Sequence, residues 1–162
     1  MKRISLKVGD IFEVSLGDTK KGYVQYIGND RTQLNSDVIR VFALRTESNA
    51  ESEEIVKSHV EFYSHVTDVK AGIKDGSWKK VGHSDDIGDS KAPFFRHSDD
   101  YGNPDVKKSD RWYVWRMNEP MANVGKLAGE NTRADIGVVT WPTHIVARMR
   151  TGKYHAFYPD YK

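Results

Sequence analysis

The stretch at residues 60–82, VEFYSHVTDVKAGIKDGSWKKVG, constrains the fold more than any other part of this sequence. It opens with strict alternation. Val60, Phe62, Ser64 and Val66 point to one side and Glu61, Tyr63, His65 and Thr67 to the other, as a strand requires. One helical turn is predicted next, over 68–74, with Asp68 as its N-cap and Val69 and Ile73 four apart on the inner side. Asp75-Gly76 ends that turn, because glycine takes the left-handed conformation that other residues avoid. Trp78 then supplies the largest apolar anchor of the region, and Gly82 closes the unit. Nothing here is chemically reactive. The stretch is built to pack.

The chain before it reads as β structure through residue 45. Ile4 and Leu6 alternate with Arg3, Ser5 and Lys7, and after Gly9-Asp10 a strand runs from Ile11 through Leu16. A hairpin-like loop at 17–22 leads to a return strand at 23–27, and a third strand with β-branched bias covers 38–44. The run 31–37 between them is polar. Short strands joined by turns at this spacing predict an α+β, mainly β domain: a twisted antiparallel sheet or a partly closed barrel, with one or two short helices. The pattern leaves barrel and open sheet undecided. Residues 46–58, TESNAESEEIVKS, read as an acidic loop leading to a short strand at Ile55-Val56.

After residue 82 the chain changes character. His83-Ser84-Asp85-Asp86-Ile87-Gly88 returns as His97-Ser98-Asp99-Asp100-Tyr101-Gly102. One six-residue duplication is too short for a solenoid, and dense Asp, Ser and Gly indicate turns. The segment 83–110 is expected to be a surface excursion pinned by Phe94 and Phe95. Residues 111–117, RWYVWRM, carry bulky side chains on both faces and predict a central strand. A loop over 121–135 with a helical turn near Val124, a last strand at 136–141 and a short helix from Pro142 follow. Thr143 is its expected cap, Ile145, Val146 and Met149 its inner side and Gly152 its C-cap. The aromatic tail from Tyr154 is expected to pack back.

Length and composition exclude several classes. The 162 residues have the size of a single domain, 1–162, that buries about 68–70% of the unfolded chain's surface. Apolar residues make up 38% and charged residues 30%, and no window approaches the ~20 apolar residues of a membrane span. Met1-Lys2-Arg3 resembles the start of a leader, but Lys7, Gly9 and Asp10 interrupt any apolar region, so a cytoplasmic location is expected. The absence of cysteine excludes disulfides and thiolate metal sites. A net charge of +2 is too small to argue for nucleic acid.

Catalytic and metal motifs are missing. No His-Glu-x-x-His, Gly-x-Ser-x-Gly, phosphate loop or dinucleotide fingerprint occurs. His59 and His65 lack ligand spacing. The paired aspartates of the two HSDD copies are hard oxygen ligands, but neither copy has the alternating carboxylates and bidentate Glu of a calcium loop. No cofactor is therefore expected. Aromatic residues reach 11%, with four tryptophans, which suits either interface anchors or a β core short of aliphatics.

The run Lys7-Val8-Gly9-Asp10-Ile11-Phe12-Glu13-Val14, then Leu16-Gly17-Asp18 and Gly22-Tyr23-Val24-Gln25, resembles the opening of one group of β-rich immunity proteins of bacterial polymorphic toxin systems. Phe62-Tyr63, Gly72-Ile73-Lys74, Gly76-Ser77-Trp78-Lys79-Lys80-Val81-Gly82 and Pro93-Phe94-Phe95 resemble its middle. That resemblance implies a small cytoplasmic protein that binds and neutralises a co-encoded toxin by occlusion, with no catalysis of its own. It transfers no functional residue. If the toxin is a nuclease with a basic cleft, the expected contacts are the acidic loops: Glu51, Glu53, Glu54, Asp85, Asp86, Asp99 and Asp100, with Tyr101 and Trp112 as anchors. The same opening is also similar to small SH3-like barrels, including ribonuclease toxins built on that barrel, although only Arg31-Thr32 stands where a catalytic set would be needed.

Overall fold

The computed structural model describes residues 3–162; Met1 and Lys2, with the start of the leader-like run, lie outside the described residues. The first strands form where alternation and turn chemistry agree. β1 (Asp10–Gly17) and β2 (Lys20–Asp30) are joined by Asp18 and Thr19 alone, both left-handed at φ 48° and 67°. Two left-handed residues match the twist of a two-residue hairpin, so the connection is tighter than the predicted 17–22 loop. β3 (Ser36–Phe42) returns along β2. Residues 3–7 are not a strand, although Leu6 still packs against the edge of the core.

α1 (Ser52–Lys57) replaces the strand expected at Ile55-Val56. In a strand these neighbours would point to opposite sides. On a helix they stand about 100° apart, and both are buried against Ile11, Tyr23 and Phe42. β4 (Val60–Val66) and α2 (Val69–Lys74) form as the 60–82 pattern requires, and Trp78 opens a further strand, β5 (Trp78–His83), that the pattern did not show. Asp68 caps α2 by accepting from the Lys70 amide at 2.8 Å, and Trp78 is buried. Asp68→Ala is expected to lower stability by about 1 kcal/mol in denaturant unfolding. A loss below a few tenths would mean that α2 is held by packing alone.

The second half of the chain adds β6 (Phe94–Ser98), β7 (Trp112–Arg116), β8 (Ala122–Gly125), a 3₁₀ turn (Gly129–Arg133), β9 (Asp135–Ile136), β10 (Val139–Thr140) and α3 (Pro142–Thr151). The loop expected at 121–135 therefore contains a short edge strand, too brief and too polar to register as alternation. Pro142 opens α3 at its first position and the residue at the cap position is Trp141, whose side chain makes no capping bond, which corrects the expected role of Thr143; Gly152 ends it at φ 69°.

Among the described residues the strands make two open sheets, ordered β10-β4-β3-β2-β1-β5 and β8-β7-β6-β9. The fold is α+β and mainly β. The pairings are antiparallel except that β10 runs parallel to β4 and β9 parallel to β6, and neither sheet closes into a barrel. The helices α2 and α3 cover one face of the larger sheet over Phe12, Val24, Ile39, Val41, Phe62 and Trp78. The other face meets α1 at one end and the smaller sheet at the other, where Phe95 and Trp115 pack on Ile27 and Val38.

One predicted strand, 136–141, is split between the sheets. Its first half pairs with β6 and its second half with β4, and Gly137 between them donates to the Arg96 carbonyl at 2.7 Å. This seam is where the chain closes the interface between its layers.

Candidate functional site

The structure brings two of the three acidic segments together. Ser52 at the start of α1 touches Gly82 of β5, and the loop after β5 follows directly. Glu51, Glu53, Glu54 and Asp85 are all exposed on this side. A shallow cleft of about 360 Å³ beside Glu51 is lined also by Glu13, Lys79, Lys80 and Val81.

Charge on this face is largely compensated. Glu53 pairs with Lys57 one turn along α1, and Glu13 with Lys21 at 3.3 Å. Asp10 is buried and takes bonds from Lys80 at 2.8 Å, His83 at 3.0 Å and the Lys7 amide at 2.9 Å. Burial would raise the pKa of Asp10, but those bonds outweigh it and hold the carboxyl below its usual range. The carboxylates of Asp10 and Asp85 push the His83 ring up, so it keeps its proton to higher pH than a free histidine. Among the described residues Glu51 and Glu54 have no ion-pair partner.

The loop at 84–88 is tied to the sheet beneath it by a polar core that sequence reasoning missed. Arg40 and Gln25 are both buried; Arg40 Nε donates to Gln25 Oε1 at 2.7 Å. Arg40 Nη2 and Gln25 Nε2 then both donate to the Asp86 carbonyl, at 2.6 and 3.2 Å. The Asp86 carboxylate lies 3.8 Å from Arg40, so its charge serves this internal cation. The only signal in the sequence was a charged and an amide residue inside otherwise apolar strands.

The other aspartates lie elsewhere, on the smaller sheet. Asp99 Oδ2 accepts from Arg111 at 3.3 Å and the Tyr113 hydroxyl at 3.2 Å. Asp100 accepts from Ser109 Oγ at 2.6 Å and from Arg111 at 3.3 Å. Both HSDD copies make the same local turn: Ser84 and Ser98 each accept from the amide two residues on, and Gly88 and Gly102 share φ 78°. The duplication is thus a repeated turn whose carboxylates are already engaged. No group of three His, Asp or Glu among the described residues could hold a metal ion. Tyr101 is half-buried beside His97 and Tyr158. Trp112 corrects the expectation most sharply. It is fully buried under Tyr158 and Tyr161 of the returning tail, with its indole N–H on the Ser109 carbonyl, and presents nothing to a partner.

A family model described as Immunity protein 26, Imm26, matches residues 7–107. The chain belongs to the Imm26 family. No curated protein and no solved structure matches it. The Imm26 match runs from just before β1 to beyond β6, so it contains the α1 face and both HSDD turns. The seam strands, α3 and the tail lie outside it.

One further cluster has the composition of a catalytic dyad. Asp30 and His65 are both fully buried, and His65 Nε2 donates to Asp30 Oδ2 at 2.8 Å. Its other partners are those of a joint between layers. Trp115 Nε1 donates to the same oxygen at 3.0 Å, and the amides of Thr32 and Asn118 donate to Oδ1 at 2.9 and 3.0 Å. The His65 ring packs 4.0 Å from Phe95, so this pair holds the sheets together.

Proposed function

We propose that this Imm26 protein acts in the bacterial cytoplasm by binding the toxin encoded beside it in a polymorphic toxin system and covering the toxin's active cleft, without catalysis of its own. The observation that carries the reading is the family match across residues 7–107. A braced two-sheet body suits occlusion, because a stiff binder loses little entropy when it docks. The exposed acids Glu51 and Glu54 at the start of α1, with Asp85 beside His83 in the loop after β5, favour a partner with a basic cleft, such as a nuclease, and act on encounter rather than on the docked complex.

The decisive experiment mixes the purified chain with the toxin domain encoded by the adjacent gene. A 1:1 complex and loss of toxin activity are expected; no complex, or turnover of RNA by the chain itself, would end the reading. The triple variant Glu51→Gln, Glu54→Gln, Asp85→Asn is expected to slow association about tenfold at low salt and to flatten its salt dependence. An unchanged rate and salt slope would remove this face from the encounter.

A further inference from the structure

The turn between β2 and β3 presents its side chains against folding preference. Leu34 sits at its tip with φ 53°, a left-handed conformation that crowds a leucine Cβ against the carbonyl oxygen that follows it. It is also 86% exposed, so no burial offsets that strain. Asn35 follows at φ 52°, where asparagine is tolerated. The turn is nevertheless rigid. Inside it, Asn29 Nδ2 donates to the Asn35 carbonyl at 2.6 Å and the Thr32 amide to Asp30 at 2.9 Å. From outside, Asn118 Oδ1 accepts from the Arg31 amide at 2.9 Å, the Glu119 carbonyl from Thr32 Oγ1 at 2.8 Å and the Gly137 carbonyl from Gln33 Nε2 at 2.9 Å. The β7–β8 turn and the seam thus hold a strained leucine out into water.

Its surroundings fit contact with another protein. Met121 is exposed beside the bracing turn, and Trp141, 58% exposed, follows β10 at the same end of the larger sheet. Arg31 is exposed, makes no ion pair among the described residues, and borders a shallow cleft of about 420 Å³ with Asn29 and Asn118. Tryptophan and arginine are the residues enriched at interface hot spots, and backbone strain held in place by its surroundings clusters at binding sites, so it is the strained exposure of Leu34 beside Arg31, not its residue type, that marks this turn.

We propose that this braced turn anchors the protein on its toxin: Leu34 enters an apolar socket of the toxin polypeptide, and Arg31 pairs with a carboxylate beside that socket. The inference rests on the immunity reading above and names the contact it would use. The turn lies at the end of β3 opposite α1. A docked apolar anchor acts on dissociation, whereas exposed charges act on association.

Leu34→Gly tests this cleanly, because glycine relieves the left-handed strain while deleting the side chain. Binding to the adjacent gene's toxin domain would be measured by calorimetry for the wild type, Leu34→Gly, Leu34→Asp and Arg31→Glu, with the thermal midpoint of each. Each variant is expected to weaken binding by about tenfold or more, while the midpoint of Leu34→Gly equals or exceeds the wild type. Wild-type affinity in all three variants would overturn the anchor and leave the immunity reading standing. No binding by the wild type would overturn both. A lower midpoint for Leu34→Gly would make Leu34 a folding residue and overturn the anchor. A Leu34→Gly variant that changes only the chain's own mass in solution would overturn it in favour of a contact between copies.

Discussion

Gly137→Ala is expected to cost about 3 kcal/mol of folding stability, although it adds a single methyl group. The backbone at this position is not left-handed, so the effect is steric. A Cβ there would overlap the Trp115 ring, whose Cζ2 would lie 2.8 Å away, and would sit 2.9 Å from the Arg96 carbonyl. Neither neighbour has room to yield. Trp115 is buried between the sheets, and its indole is fixed by Asp30. The seam itself is pinned from both sides, by the Gly137 amide on Arg96 and by the Gln33 amide group on the Gly137 carbonyl. Relief therefore requires the two layers to separate slightly, which loosens the packing of Phe95 and Trp115 on Ile27 and Val38. Denaturant unfolding measures the loss. A Trp115→Phe background should reduce the cost of the alanine, and the double-mutant cycle would report that coupling directly. A loss under 0.5 kcal/mol would mean that the seam is softer than its contacts imply.

The second large effect is expected at Asp30. Asp30→Ala leaves the donors of His65, Trp115, Thr32 and Asn118 without their acceptor inside the protein, at an expected cost of about 3–5 kcal/mol. The pH dependence carries the same information. Burial pushes the carboxyl up, but bonds from His65, the Asn118 amide and Trp115 overcome this and hold its pKa at about 2. The unfolded value is 3.8, so the folded state prefers the ionised form. That stability is fully present above about pH 4 and is lost as pH falls through about 2, amounting to about 2 kcal/mol. Asp135 works in the opposite sense. Burial, only partly relieved by the Tyr63 amide and by Arg148 and Arg96, raises it to about 6. Stability from this group is greatest below 3.8 and declines as pH rises through about 6. The two windows barely overlap, so stability measured from pH 2 to 7 separates them. Asp30→Asn should flatten only the acid limb; a wild-type slope between pH 4 and 2 in that variant would show that Asp30 is not the carboxyl responsible.

What an immunity protein of this size needs is a body rigid enough to present a surface, and the residues supplying rigidity are the hardest to foresee. Asp30 is separated from His65 by 35 positions and from Trp115 by 85, and aspartate is ordinarily an exposed turn residue. Nothing local marks it. The acidic residues had the reverse problem. Asp86, Asp99 and Asp100 stand in turn-rich sequence that suggests solvent, yet Arg40 and Arg111 draw on their charge. Leu34 was hidden by its polar neighbours, because a lone apolar residue in a loop carries no periodic signal.

By itself the sequence determined what depends on neighbours a few residues apart. Apolar runs between turns specified β1 to β3 and alternation β4, Asp68 and Gly76 bracketed α2, Gly152 ended α3, and a resemblance in the first part of the chain pointed to an immunity protein family. Only the tertiary structure decided that Ile55 and Val56 form a helix, that Trp112 lies beneath the tail, and that 135–140 divides between two sheets. The reason is the range of the forces involved. Turn and cap preferences act within one or two turns of chain, whereas burial and hydrogen-bond pairing depend on whatever distant segment packs alongside, and here β10 pairs with a segment 75 residues away.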